Sequence, residues 1–386
     1  MTTTTDSVAA HLGEPPKLGY LPAWDGLRAL AVVAVMLFHF DIPGFRGGLL
    51  GVDVFFVISG FLITYLLLGE VVKHGHIEYR RFIGRRFTRL YPAVLATIVG
   101  TWVVCLLARG AAAPGRDQSL AGLTYTMNWF DLAEPGVATY FAHLWSLGVE
   151  QQFYLTWPLI LMVLLVRRPT PQQLLRRCLA LVAIVIAARA AYVVAGFAWR
   201  PAGWNPAAPD PFLYGAISDR RNQVVDWAYF ALWFRVDGIF LGAAAAIWAA
   251  GGGTMKRWMS TTLTICCSVA VVVAIAMAEP RTESLFLLWI PLAGIATAGL
   301  LAASWGARSS PWSRCLSIPP LKLIGQWSYS IYLVHIPVWV LLGQKISNQR
   351  LRALASIVIT IAVSGVLHTA LEKPANRALR RRLKLG

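Results

Sequence analysis

Apolar stretches near the roughly 20 residues that an α-helix needs to cross a bilayer recur along this 386-residue chain, at 24-42, 49-69, 90-108, 144-166, 178-199, 229-250, 261-278, 284-304, 323-343 and 353-371. Few architectures accommodate that pattern. In hydrocarbon every backbone polar group must be bonded internally, and long continuous apolar runs do this as helices. The charge content agrees: only 14% of residues are charged and 57% are hydrophobic, against roughly 25% charged in an average soluble domain. Too few charges remain to cover a soluble globule. The same figures argue against a disordered chain and against a nucleic-acid partner, despite the net charge of +17. The five cysteines, Cys105, Cys178, Cys266, Cys267 and Cys315, form no CxxC pair and read as small buried hydrophobes. No metal site is expected. The expected fold is an all-α polytopic membrane protein, a bundle of about ten transmembrane helices.

The basic residues orient that bundle, because Lys and Arg concentrate in cytoplasmic loops. With both termini cytoplasmic, the inner segments carry 22 Lys and Arg and the outer segments 10, while Arg28, Arg189 and Arg235 fall within spans. The division is a polar leader over 1-22 with no signal-peptide pattern, a membrane domain over 23-372 and a basic cytoplasmic tail over 373-386. Two longer connections, 109-143 and 200-228, fall outside; the second offers Trp204, Asn205, Asp210, Tyr214 and Asp219, an aromatic and polar mix that suits sugars. No internal repeat is evident.

Ionisable groups within spans are costly and therefore mark candidate sites. Arg28 and His39 are eleven residues apart, which on a helix puts them within about 20° of one face and about 16 Å apart along the axis; both are expected to face one groove. Depth counting places His39, Asp53, Glu150, Arg235, Asp237 and His335 in one layer about 18 to 24 Å from the cytoplasmic face. In the segment IEYRRFIGRRFTRLYP, Arg81, Arg85 and Arg89 recur every four residues with Arg86 beside them. As a helix they form a stripe of guanidinium forks suited to phosphate, although plain positive-inside charge gives the same pattern.

The ordered motifs resemble the acyltransferase-3 family of integral membrane acyltransferases, which move acyl groups onto sugars, glycolipids, peptidoglycan or secondary metabolites. The resemblance rests on Arg28 to His39 in WDGLRALAVVAVMLFHF, GVDVFFVISGFL from Gly51, RRFTRLYP from Arg85, HLWSLGVEQQFYLTWP from His143, RVDGIFLG from Arg235, GQWSYSIYLVHIPV from Gly325 and LEKP from Leu371. Two departures stand out. The family commonly has a second Glu where Gln151 follows Glu150, and the chain stops fifteen residues after the last span, which reads as a membrane-only form without the C-terminal hydrolase-like domain.

The resemblance implies acyl-CoA as a cosubstrate, with no bound cofactor, and a carbohydrate or lipid-linked acceptor. On that basis Arg28, Arg81, Arg85, Arg86 and Arg89 are the expected donor-binding residues, and His39 the expected general base, since an imidazole titrates near neutral pH. Glu150 or Asp53 would orient the imidazole or bind the acceptor. The glycine of the SGFL block would offer backbone N–H groups to the oxyanion. Asp41, Ser59, His143, Tyr154, Arg235, Asp237 and His335 are further second-rank candidates, Ser59 as a nucleophile being the weakest because VISGF lacks a nucleophile elbow. Tyr329, Tyr332 and Trp327 read as packing groups. A lipid-linked sugar flippase or a proton-coupled transporter is the alternative, with the intramembrane charges forming its path.

Overall fold

The computed structural model describes residues 18–108, 112–137, 139–199, 202, 211–306 and 310–383, without the side chains of 211–218 and 306. Residues 1–17 of the expected leader lie outside the described residues, as do Trp204, Asn205, Asp210 and the side chain of Tyr214.

Regular structure among the described residues is helical, with no strand. Helix α1 is Pro22–His39, opened by a proline whose fixed φ suits the first turn. A 3₁₀ turn, Arg46–Leu50, leads into α2, Gly51–His74. Helix α3, Tyr79–Leu107, joins the arginine-rich segment to the following apolar stretch without a break, so the four-residue arginine spacing becomes a stripe. The next connection holds α4, Arg116–Leu123, and α5, Met127–Ala133. Then come α6, Trp145–Leu165, α7, Pro171–Ala198, and α8, Pro211–Phe230. Short α9, Leu232–Arg235, precedes α10, Asp237–Ala250, and α11, Arg257–Met277. A π-turn, Leu285–Trp289, opens α12, Ile290–Gly306, which α13, Pro311–Leu316, and α14, Pro319–Gly343, follow. Helix α15, Gln349–Val366, passes through a second π-turn, Leu367–Glu372, into α16, Lys373–Arg382.

Among the described residues, seven helical segments are long and apolar enough to cross a membrane: Pro22–His39, Arg46–His74, Tyr79–Leu107, Pro171–Ala198, Arg257–Met277, Leu285–Trp305 and Gln349–Arg382. The remaining expected spans correspond to α6 and α14, which carry polar residues along their length, and to α10, an apolar helix of only 14 residues. The expected continuous span 229-250 is thus interrupted: Ala231 is extended and Val236 is a turn. Side chains cap the carbonyls freed there. Asn128 Nδ2 donates to the Phe230 carbonyl at 3.4 Å and Arg189 donates to the Phe234 carbonyl at 2.6 Å, which is how irregular backbone is tolerated inside a membrane protein.

Apolar side chains both fill the core and cover the outer surface, while ionisable groups of the spans turn inward. Leu106, Leu107, Val163 and Val166 are 71% to 77% exposed, whereas Arg189, Arg235 and His335 are 0% exposed. Helix α2 lies along α10, and α1 along α14. Both pairings depend on glycine. A Cβ on Gly60 would stand 1.9 Å from the Ile239 carbonyl oxygen, and one on Gly325 would stand 1.9 Å from that of Asp25. Small residues at such crossings let backbones approach closely. Gly60 therefore serves packing inside α2, in place of the oxyanion role expected for it: its backbone faces Ile239.

Candidate active site

The α1–α14 pairing brings together two histidines 296 residues apart in sequence. His335 Nε2 stands 3.1 Å from His39 Nδ1, and His335 Nδ1 stands 2.7 Å from the Tyr332 carbonyl oxygen. A carbonyl only accepts, so His335 Nδ1 carries a proton. In neutral His335 the Nε2 then accepts from His39 Nδ1–H, which leaves the lone pair of His39 on Nε2. His143 packs against the same ring, with a 5.0 Å centroid separation from His335. Its Nε2 donates to the Leu333 carbonyl at 3.2 Å, and its Nδ1 is buried without a hydrogen-bond partner.

His39 lines a cavity of about 670 Å³ at the end of the bundle where α1 finishes, together with His143, Trp145, Tyr229, Phe230, Asp131 and Asp226. Arg28 lines a different one. That second cavity, of about 80 Å³, is walled by Arg28, Phe55, Ser59, Arg86, Arg89, Glu150, Tyr154, Ser146 and Tyr332. The expected single groove for Arg28 and His39 is thus two cavities, because side chains close the space between them. Tyr332 donates to the His143 carbonyl at 2.6 Å, and Ser146 Oγ lies 2.6 Å from the Tyr332 hydroxyl. With the tyrosine proton committed to the carbonyl, Ser146 is the donor of the second bond. Ser146 and Tyr332 face the smaller cavity and His143 the larger.

Cations converge on the smaller cavity. Arg86 stacks over the Phe82 and Tyr154 rings at 5.6 and 5.8 Å, and Arg28 over Phe55 at 5.9 Å; the Nε atoms of Arg28 and Arg86 are buried without hydrogen-bond partners. Arg86 and Arg89 also line an adjacent chamber of about 240 Å³ with Arg85, Asn376 and Arg380, and Arg28 and Arg89 one of about 390 Å³ with Lys373 and Asn376. Arg81 turns aside to Glu78, 2.8 Å away. The first two of these three chambers set three and four guanidinium groups against one carboxylate each, Glu150 and Glu70, a balance that suits a polyphosphate ligand, whereas the third also carries Asp25 and Glu372.

The acids distribute differently from expectation. Glu150 Oε1 accepts from both Ser59 and Tyr154, so its hydrogen bonds are made to hydroxyls, and those of His39 to His335. Asp53 pairs with Arg235 at 3.0 Å, and Asp237 with Arg189 at 2.8 Å, with every partner at most 2% exposed. Arg235 is enclosed by the rings of Phe56, Trp145 and Tyr229 at 5.9, 5.5 and 5.0 Å. Asp41 is exposed in a left-handed turn after α1 (φ 53°) and lines neither cavity. Outside the spans, burial and then Asp226 push the Asp131 carboxyl up to about 7.

Sequence reasoning missed several of these groups. Ser146 stands inside the WSL block and Tyr332 inside SYSIYLVH, where motif position was the available signal. Lys373, Asn376 and Arg380 read only as a basic tail. Asp131 carried no signal, lying in a connection without periodicity.

A family model described as an acyltransferase domain matches residues 21–369, the stretch that holds both histidines, the arginine stripe and the Asp53–Arg235 pair. The chain belongs to the acyltransferase-3 family. It is 28% identical over 372 residues to the peptidoglycan O-acetyltransferase OatA of Listeria monocytogenes, covering 93% of this chain and 56% of that protein. It is 29% identical over 383 residues to the O-acetyltransferase OatA of Staphylococcus aureus, covering 93% and 57%. The chain thus spans somewhat more than half the length of the curated relatives it matches. No solved structure matches it. With its apolar helices, membership makes this a multi-pass integral membrane protein.

Proposed function

We propose that this acyltransferase-3 protein is a membrane O-acyltransferase that moves a short acyl group from acyl-CoA to a hydroxyl of a cell-wall sugar, with His39 as general base. The observation that carries this reading is the hydrogen-bond chain from the Tyr332 carbonyl through His335 to His39, which leaves His39 Nε2 as a lone pair facing the larger cavity. In this mechanism His39 Nε2 takes the proton of the acceptor hydroxyl as its oxygen attacks the thioester carbonyl. The tetrahedral adduct then collapses, the C–S bond breaks, and the departing thiolate takes the proton back from the imidazolium.

The donor enters from the other side. Arg28, Arg86 and Arg89 hold the nucleotide phosphates, supported by the unpartnered Nε atoms of Arg28 and Arg86, and the pantetheine arm runs through the narrow cavity toward Ser146 and Tyr332. That arm reaches His39 only when the Ser146–Tyr332 contact opens. The narrowness favours a short acyl group, in keeping with the O-acetyltransferase names of the relatives. The proposed topology has about ten crossings, adding α6, α10 and α14 to the seven apolar segments, with both termini and the basic chambers in the cytoplasm.

The test is transfer of label from radiolabelled acetyl-CoA to peptidoglycan fragments by the purified full chain in nanodiscs. Labelled sugar from the wild type and at least about a hundredfold less from His39→Ala is the expected result. Equal product from both, or sugar flux across vesicles without product, overturns the reading, the second in favour of a transporter.

A further inference from the structure

The larger cavity holds a buried acid that the transfer chemistry leaves unused. Asp131, on α5, is 5% exposed, lines the cavity, and has its Oδ2 atom buried without a hydrogen-bond partner. Such orphans are rare in native interiors and call for a reason. The neighbouring acid does not share the condition, because Arg281 lies 3.2 Å from Asp226 and spends its charge there. Asp131 is therefore the carboxyl group in this cavity whose hydrogen bonding an incoming donor can complete, beside the free Nδ1 of His143.

The remaining walls narrow the donor's chemistry. Trp145, Tyr229 and Phe230 present aromatic surface, and with Asp226 and Arg281 paired, the unpaired Asp131 disfavours an anion. A flat ligand with an apolar face and hydroxyls at its edge fits: the face packs on the rings while one hydroxyl donates to Asp131. A pyranose ring has that form. We infer that Asp131 is the acceptor-binding residue of the larger cavity, receiving a hydroxyl of a neutral sugar ring stacked against Trp145 and Tyr229. This assignment rests on the O-acyltransferase reading for the identity of the bound sugar as acceptor, and on the cavity alone for binding.

Because an unpaired buried acid destabilises a fold, its removal is expected to leave stability intact while weakening the ligand. The experiment uses the full chain in nanodiscs, an N-acetylglucosamine tetramer as probe, and the variants Asp131→Ala and Asp131→Asn. The expected result is an apparent acceptor KM raised at least tenfold in Asp131→Ala, with the acetyl-CoA KM within twofold of wild type and no loss in melting temperature. Saturation-transfer NMR without donor should show the tetramer bound to wild type and released from the variant. If Asp131→Ala misfolds, Asp131→Asn gives a smaller rise in the same acceptor KM, because its amide oxygen still accepts but without the charge. Binding without transfer in the wild type would sink the proposed reaction and leave the subsite standing. Transfer with an unchanged acceptor KM in the variants, or no binding of the tetramer to wild type, overturns the subsite.

Discussion

His39 Nδ1 lies 3.1 Å from His335 Nε2, and the Tyr332 carbonyl on the far side of His335 decides which of the two imidazoles is free to react. His335 is fully buried with both nitrogens engaged, whereas His39 is half-buried at the cavity wall. Removing the base, His39→Ala, is expected to lower kcat by about 10² to 10⁴. His335→Ala should lower kcat less, with donor and acceptor KM unchanged, and His335→Gln, whose side-chain carbonyl can still accept from His39, should recover part of the loss. Steady-state kinetics on the three variants check this; a His335→Ala enzyme of full kcat removes His335 from the mechanism.

Asp53 and Arg235 are expected to act through the fold. Breaking a buried ion pair by removing one partner costs about 3–5 kcal/mol because the other charge is left uncompensated. Asp53→Asn and Arg235→Gln should each lower the melting temperature in detergent sharply, and the double variant should lose less than the sum of the two. An Asp53→Asn protein that melts like wild type but has lost transfer would instead place Asp53 in the chemistry.

The arginine stripe divides. Arg86 and Arg89 line the narrow cavity with Arg28, while Arg81 bonds to Glu78 at the edge. A hydrogen bond to a charged group contributes about 1.5–3 kcal/mol, so Arg86→Ala and Arg89→Ala should each raise the acetyl-CoA KM by about 10- to 100-fold. Arg81→Ala should stay within about twofold by the same accounting. Equal effects across the stripe would mean a diffuse surface charge, not a phosphate site.

Much of this molecule is legible in its sequence because helix length and apolarity are local properties. The positions of α1, α2, α6, α7 and α14 follow from runs of apolar residues, and Arg28, Glu150 and the two histidines follow from the cost of polarity within them. Pairing is not local. Nothing between residues 39 and 335 says that α1 lies along α14, so the bond between the two histidines and the sorting of Asp53 to Arg235 and Asp237 to Arg189 emerge only from the packed helices. The interruption at Ala231 was equally hidden, since apolarity continues through it and its carbonyls are capped from Asn128 and Arg189.

Ser59 is expected to be dispensable as a nucleophile. Its hydroxyl donates to Glu150 Oε1, which also accepts from Tyr154, and no imidazole lines the cavity that Ser59 faces. Ser59→Ala should retain more than about a tenth of wild-type kcat, the loss of one hydrogen bond near the site. Mass spectrometry after incubation with acetyl-CoA should find Ser59 unmodified, and an acetylated Ser59 would reverse this.

The acid in the larger cavity makes stability and acceptor binding respond to pH in opposite directions. Asp131 is pushed up to about 7, first by burial and then by Asp226, against about 3.9 in an unfolded chain. Between those values the folded protein keeps a proton that the unfolded chain has released, so this group's contribution to stability is complete at acid pH and is lost as pH rises toward 7. Asp226 from α8, Arg281, His39 from α1 and His143 share the cavity, and they remain in Asp131→Asn, so the difference between wild type and variant isolates Asp131. Melting temperatures of the two, followed from about pH 4.5 to about pH 8, should diverge, wild type falling relative to Asp131→Asn. Over the same range the wild-type acceptor KM should fall as the carboxylate forms, because a charged acceptor binds a hydroxyl more strongly than a neutral one. Parallel melting curves would show that Asp131 titrates as an ordinary carboxyl, and the acceptor KM would then be flat through neutrality.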